Sequence, residues 1–254
     1  MMKNGILYGA ILLIALLTTS CGISKEMKYS AMYSQQPTSI MIMPPINQTS
    51  FADAKLLYFS SLYRPLCEKG YYVFSPYMTM ELLQNESAYD AEPFLNGDLK
   101  MFHKVLGADA ALFTVIKEWK KATLGSSINV DVEYILRSTT TGETLYQREG
   151  RLTLDMSVET GVGGSWGFVA DLAASKLNQS LTDQIEAGRL CNIVTLDDIP
   201  LGKYHSEYGK DKSVTIDKGN VIRRTVKENS IELYQPENQR RYRKLIDAEV
   251  EKMK

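Results

Sequence analysis

Hydrophobic positions fall into two patterns along this chain, and the pattern changes near residue 120. Before that point, short unbroken apolar runs alternate with helical spacing. TSIMIM (38–43) is a β-prone run halted by Pro44 and Pro45, neither of which can donate to a sheet. From Ala54 to about Lys69, Leu56, Phe59, Leu62, Tyr63 and Leu66 recur at helical spacing, with Asn47, Thr49, Ser50 or Asp53 available as a cap. Pro65 lies inside that helix and predicts a kink, and Gly70 ends it. YYVFS (71–75) predicts a short strand. Pro76 opens a helix to about Asn85, with Met80 and Leu83 turned inward. GDLKMFHKVLG (97–107) predicts a further helix closed by Gly107, and ADAALFTVIKEW (108–119) a long apolar strand.

After residue 120 the period becomes two. In SINVDVEYILR (127–137), Ile128, Val130, Val132 and Tyr134 share one face, and Asn129, Asp131 and Glu133 the other, as in an antiparallel strand with one wet side. A turn at TTTGET and more strand through LYQRE and LTLDM predict a β-meander. GVGG (161–164) then breaks the chain. Trp166, Val169, Leu172, Ala173, Leu177, Leu181 and Ile185 mark an amphipathic helix ending at Gly188. The order β-α-β-α-α-β, meander, long helix implies an α/β fold with a mixed sheet over residues 38–199. Residues 200–254 are expected as an appendage, with a small hairpin from SVTID and NVIRRTV and an exposed charged helix over 236–254.

The start of the chain follows different rules. Lys3 precedes ILYGAILLIALL (6–17), a run suited to a signal-peptide core and too short to span a bilayer as a helix. Thr18, Thr19 and Ser20 then lead to Cys21, which resembles the lipobox of bacterial lipoproteins, although Thr18 stands where a leucine is usual. Residues 1–20 are therefore expected to be a removed signal peptide, with lipid such as palmitate on Cys21. Gly22 rather than Asp after the cysteine favours the outer membrane, facing the periplasm. Residues 22–37, GISKEMKYSAMYSQQP, are polar and expected to form a tether.

Composition narrows the chemistry. A formal charge of −1 provides no strong field for nucleic acid, and two histidines and three cysteines leave little for a metal site, so no cofactor is expected. GGSWG (163–167) matches a nucleophile elbow, with Asp197 or Asp198 and His205 following in hydrolase order. A polar-faced antiparallel meander precedes it where a hydrolase would place a parallel sheet, so Ser165 is expected to do no chemistry. A serine hydrolase using Ser165 is the alternative, and a passive ligand-binding lipoprotein a third. The row Asn129, Asp131 and Glu133 reads first as a solvated strand face and second as ligands for a hard cation. Cys67 and Cys191 could pair in an oxidising compartment or remain buried thiols. Pro44, Pro45 and Asn47 form either a stiff turn or a rigid docking loop. Arg240, Arg241, Arg243 and Lys244 could steer an acidic partner.

Four motifs in order carry a wider resemblance: MPPINQTS (43–50), PLCEKGYYVFSP (65–76), GADAALFTVIKEW (107–119) and TTGETLYQREG (140–150). They resemble a family of small conserved lipoproteins of Gram-negative bacteria, the meningococcal vaccine-candidate type, over roughly residues 38–188. The resemblance implies a fold like the N-terminal domain of the Tol translocation protein, shared with the curli-secretion lipoprotein, an outer-membrane export pore. Family genes commonly lie beside one for a lipoprotein of that type. The implied role is a subunit of an envelope export or assembly complex, working by contact with such a lipoprotein or as a homo-oligomer, without catalysis.

Overall fold

The computed structural model describes residues 22–51, 54–85, 90–122, 127–157 and 181–227. Both hydrophobic patterns end up in one mixed sheet. Its strands are β2 (Ser39–Ile42), β3 (Ile46–Asn47), β4 (Tyr72–Val73), β5 (Ala110–Lys121), β6 (Ser127–Ser138), β7 (Thr144–Asp155) and β9 (Val221–Lys227), in the order β4-β2-β5-β6-β7-β9, with β3 also against β5. The β2, β3 and β4 pairings are parallel, as is β7 with β9, while β5, β6 and β7 form the expected antiparallel meander.

Helices explain the difference between the two halves. α3 (Ala54–Ser61), α4 (Tyr63–Glu68) and α8 (Leu181–Thr195) pack on one face, over Ile40, Ile42, Leu112, Ile116, Val130, Val132 and Tyr134. α5 (Pro76–Asn85), α6 (Glu92–Leu95) and α7 (Lys100–Leu106) pack on the other, over Met41, Met43, Ala111, Phe113 and Val115. Strands β2 and β5 are therefore covered on both sides and read as unbroken apolar runs. β6 and β7 are covered on one side and alternate.

Several expectations change on contact with the structure. The helix expected over 54–69 is two helices interrupted at Leu62, not one kinked at Pro65. The proline cannot donate to Ser61, four residues back, and its ring crowds that carbonyl, so the break falls upstream. Gly188 does not end the last helix, which runs on to Thr195. A side chain at Gly188 would collide with the Trp119 indole, so the glycine serves packing. The portion of that helix expected over 166–180 lies outside the described residues.

The largest change concerns the segments expected as tether and appendage. Residues 22–37 form β1 (Gly22–Ser24), α1 (Lys25–Lys28) and α2 (Ser30–Gln35), with Tyr29 and Met32 buried in the core. Burying Met32 contributes about 1.5–3 kcal/mol, which outweighs the polar surroundings that suggested a tether. β8 (Thr215–Asp217) pairs antiparallel with β1. β9 continues the main sheet, so SVTID and NVIRRTV do not form a hairpin with each other. Lys25 and Asp211, both buried, form an ion pair at 3.4 Å that fastens α1 to the 199–214 loop.

Candidate functional site

PPIN, read as either a stiff turn or a rigid docking loop, carries the chain from the end of β2 into β3. Pro44, Pro45 and Ile46 are buried, and β3 resumes pairing with β5 directly after the prolines. Asn47 is half-buried and turned inward: its Oδ1 accepts from the Thr49 amide at 3.0 Å, and its Nδ2 donates to the Phe51 carbonyl at 2.9 Å. These residues hold the entry to α3, where a partner has little to touch. Of the two alternatives for Cys67 and Cys191, the structure has the free thiols. Cys191 lies inside, 3.5 Å from Tyr134 Oη, and burial pushes its thiol up to about 11. Cys67 sits on α4 beside Tyr63. Cys21, Ser165, Arg240, Arg241, Arg243 and Lys244 lie outside the described residues.

A different surface stands out, at the edge strand β4. Tyr72 is 54% exposed and stacks edge-on against Phe74, with ring centres 5.2 Å apart. Tyr63, one layer away on α4, is 42% exposed and lies within electrostatic range of Tyr72. Tyr77 and Met78, on the first turn of α5, are 71% and 50% exposed. The sequence carried a signal for this surface. Within YYVF, Tyr71 and Val73 face the core, so period two turns Tyr72 outward.

The opposite edge is built from charge. Buried Arg148 on β7 donates to Asp198, on the 3-10 turn Leu196–Asp198, and to the Asp217 and Gly219 carbonyls. Tyr29 and Tyr146 each donate to Asp198 at 3.0 Å. Burial and the Asp198 carboxylate hold both phenols above their ordinary range. Lys28 Nζ donates to the carbonyls of Asp217, Lys218 and Gly219 at 3.1, 2.8 and 2.7 Å. Burial, then Arg148, lowers Lys28 to about 8. The hydrolase candidates are engaged in this network and its surroundings. Asp198 is paired with Arg148 and Asp197 with Lys69, while His205 Nδ1 accepts from the Glu207 amide.

A family model described as "Putative lipoprotein GNA1162-like" matches residues 27–195, about two thirds of the chain. The chain belongs to the GNA1162-like lipoprotein family. A curated relative, "Putative lipoprotein NMB1124/NMB1162" of Neisseria meningitidis serogroup B, is 23% identical over 170 residues, 65% of this chain and 78% of the relative. The crystal structure of lipoprotein GNA1162 from Neisseria meningitidis is 23% identical, covering 56% of this chain and 97% of that one, with a TM-score of 0.43. PelC from Paraburkholderia phytofirmans, solved as a dodecamer, is 14% identical, with 66% and 90% covered and a TM-score of 0.40.

The GNA1162-like match agrees with the lipobox reading of residues 16–22, since both describe a lipoprotein. It contains the β4 surface and ends at Thr195, so β8, β9 and the Arg148–Asp198 junction draw on chain beyond it. Among the described residues no helix is long and apolar enough to cross a membrane. Two polar features remain. On the open face of the meander, Lys117 bridges Glu133 and Glu149 at 2.8 and 2.7 Å, and Arg151 pairs with Asp131 at 2.9 Å. Burial alone would raise Glu149, but Lys117 and Arg151 overcome it and hold the carboxyl low. Of the row read as a solvated face or cation ligands, Asp131 and Glu133 thus meet basic side chains, and Asn129 accepts from the Thr153 hydroxyl at 2.8 Å. An open polar depression of about 380 Å³ lies between Gln35, Thr38, Asp109, Thr140, Thr141 and Lys203. Its groups largely satisfy one another: Asp109 accepts from the Thr38 and Ser39 amides, and Gln35 donates to Thr141 and Glu143.

Proposed function

We propose that this lipoprotein acts by protein–protein contact, as a non-catalytic subunit of an envelope export or assembly complex at the outer membrane, facing the periplasm. Its partner in this reading is another envelope lipoprotein of the curli-secretion type. The observation that carries the reading is the exposed group Tyr63, Tyr72, Tyr77 and Met78 around β4. Tyrosine and methionine are enriched at protein interfaces, and tyrosine brings large contact area at low entropy cost. An edge strand also offers backbone groups to a partner strand, and β4 is only two residues long, so side chains dominate the contact.

The test is affinity purification from native membranes in mild detergent. Wild-type protein should return a second envelope protein in stoichiometric amount. Tyr72→Glu with Tyr77→Glu should lose it while the thermal transition stays within about 1 kcal/mol of wild type, as expected for exposed positions. Retention of the partner by the double variant would remove the β4 surface from the account.

A further inference from the structure

We propose that the domain stands directly on the membrane, with the open end of the β1–β8 ribbon and the turn over residues 217–220 set against the lipid headgroups. This rests on lipidation of Cys21, part of the lipoprotein reading above. The geometry comes from the register. Gly22, the residue after Cys21, already pairs with Asp217, Ile23 with Ile216, and Ser24 with Thr215. Neighbouring Cα atoms are about 3.8 Å apart, so the lipid-bearing residue is one step from a hydrogen-bonded strand. A free coil over residues 22–37 would instead have an r.m.s. span of about 20–24 Å.

The ribbon cannot swing away from the body, because the same turn is held from two sides. Lys28, at the end of α1, donates to three of its carbonyls. Arg148, from the main sheet, donates to two of them. The Lys25–Asp211 pair fixes α1 a second time. A lipid on Cys21 therefore holds the whole sheet through the ribbon, and the molecule has one membrane-facing end. That end exposes Lys218, Gly219 and Asn220. The Lys28 ammonium is engaged by carbonyls, which leaves Lys218 as the cation of this turn free to meet a lipid phosphate. The β4 edge lies five strand steps from β9, roughly 24 Å along the sheet at about 4.8 Å per step, and remains open to protein.

The test uses full-length protein purified with its own lipid and placed in a supported bilayer containing anionic phospholipid. Mass spectrometry of the Cys21 peptide records acylation. In a Cys67→Ser background, a fluorophore is placed at Lys218→Cys or at Glu81→Cys, an exposed position of α5, and a lipid with a nitroxide headgroup is added. Quenching should be several-fold stronger at position 218 than at 81. A Gly/Ser segment of about 12 residues inserted between Cys21 and Gly22 should make the two sites alike. Neutron reflectometry should find protein directly against the headgroups. Equal quenching in the native chain with Cys21 acylated, or a water layer of about 20 Å, would overturn the seating alone. An unmodified Cys21 would overturn the lipidation reading and the seating with it.

Discussion

Two glycines set how closely α8 lies on the sheet. A methyl group at Gly150, in the middle of β7, would run into Thr195 Oγ1, and one at Gly188 would run into the Trp119 indole. Overpacking of this kind costs about 1–3 kcal/mol, so Gly150→Ala and Gly188→Ala should each lower the unfolding free energy from urea denaturation by an amount in that range, with an earlier midpoint. An unchanged midpoint would mean that the helix can simply step away. Gly188 also shows where reading by sequence fails. A glycine after an amphipathic run looks like a helix stop, and only the position of Trp119, 69 residues earlier, reveals a packing role.

Cys191 gives a prediction in pH. Burial raises its thiol from 9.0 to about 11. Above the unfolded value the unfolded chain loses its proton first, so this contribution is complete below pH 9 and is lost as pH rises through the folded value. Lys28 has the opposite sign. Its folded value is about 8 against 10.5 unfolded, so it favours the folded state more as pH rises across that window. Comparing Cys191→Ala with wild type isolates the thiol: the fall in stability between pH 9 and 11 should be shallower in the variant, by about 1–3 kcal/mol. Parallel curves would place the titration elsewhere.

Long periodic elements were legible from the residues alone. β5, β6, β7 and α5 are close to where the spacing placed them, because each buries a face that the pattern spells out. SVTID and NVIRRTV were legible as strands but not in their pairing, with β1 and β7, while KEMK and SAMYSQ are too short for a period to register. Their stability comes from contacts across the whole chain: Lys25 with Asp211, Lys28 with residues 217–219, and Tyr29 with Asp198. Arg148 is the shared support of the last two of these contacts, through Asp198 and the Asp217 and Gly219 carbonyls. Removing one partner from a buried ion pair costs about 3–5 kcal/mol. Arg148→Met should therefore speed hydrogen exchange across residues 22–29 and 215–227 well before it affects β5 and β6. Uniform acceleration across the sheet would mean that the ends and the centre unfold as one unit.

At the scale of the molecule, the account joins a lipid-bearing end to a protein-binding edge. The fold expected from the resemblance, a mixed α/β sheet with helices, is present, and the family is established by the match over residues 27–195. The contact residues were less legible. Pro44 and Pro45 form the short connection between β2 and β3, and they are buried, which two prolines in a row do not disclose. Ile46 beside them joins a cluster with Met41, Met43, Leu83 and Phe102, residues that local spacing does not bring together. Ser165 belongs to the same scale, because a hydrolase needs a constellation and not one residue. Ser165→Ala should leave stability and any cellular phenotype unchanged, and specific labelling of Ser165 by a fluorophosphonate probe would contradict the non-catalytic account.

The most direct measurement of the central claim is photo-cross-linking in living cells. A photoreactive amino acid is placed at Tyr72, and separately at Arg151 on the polar face of the meander as a control. The account predicts a discrete adduct from position 72, identified by mass spectrometry as another envelope lipoprotein, and none from position 151. An adduct only to a second copy of this chain, or only monomer at both positions, would contradict it.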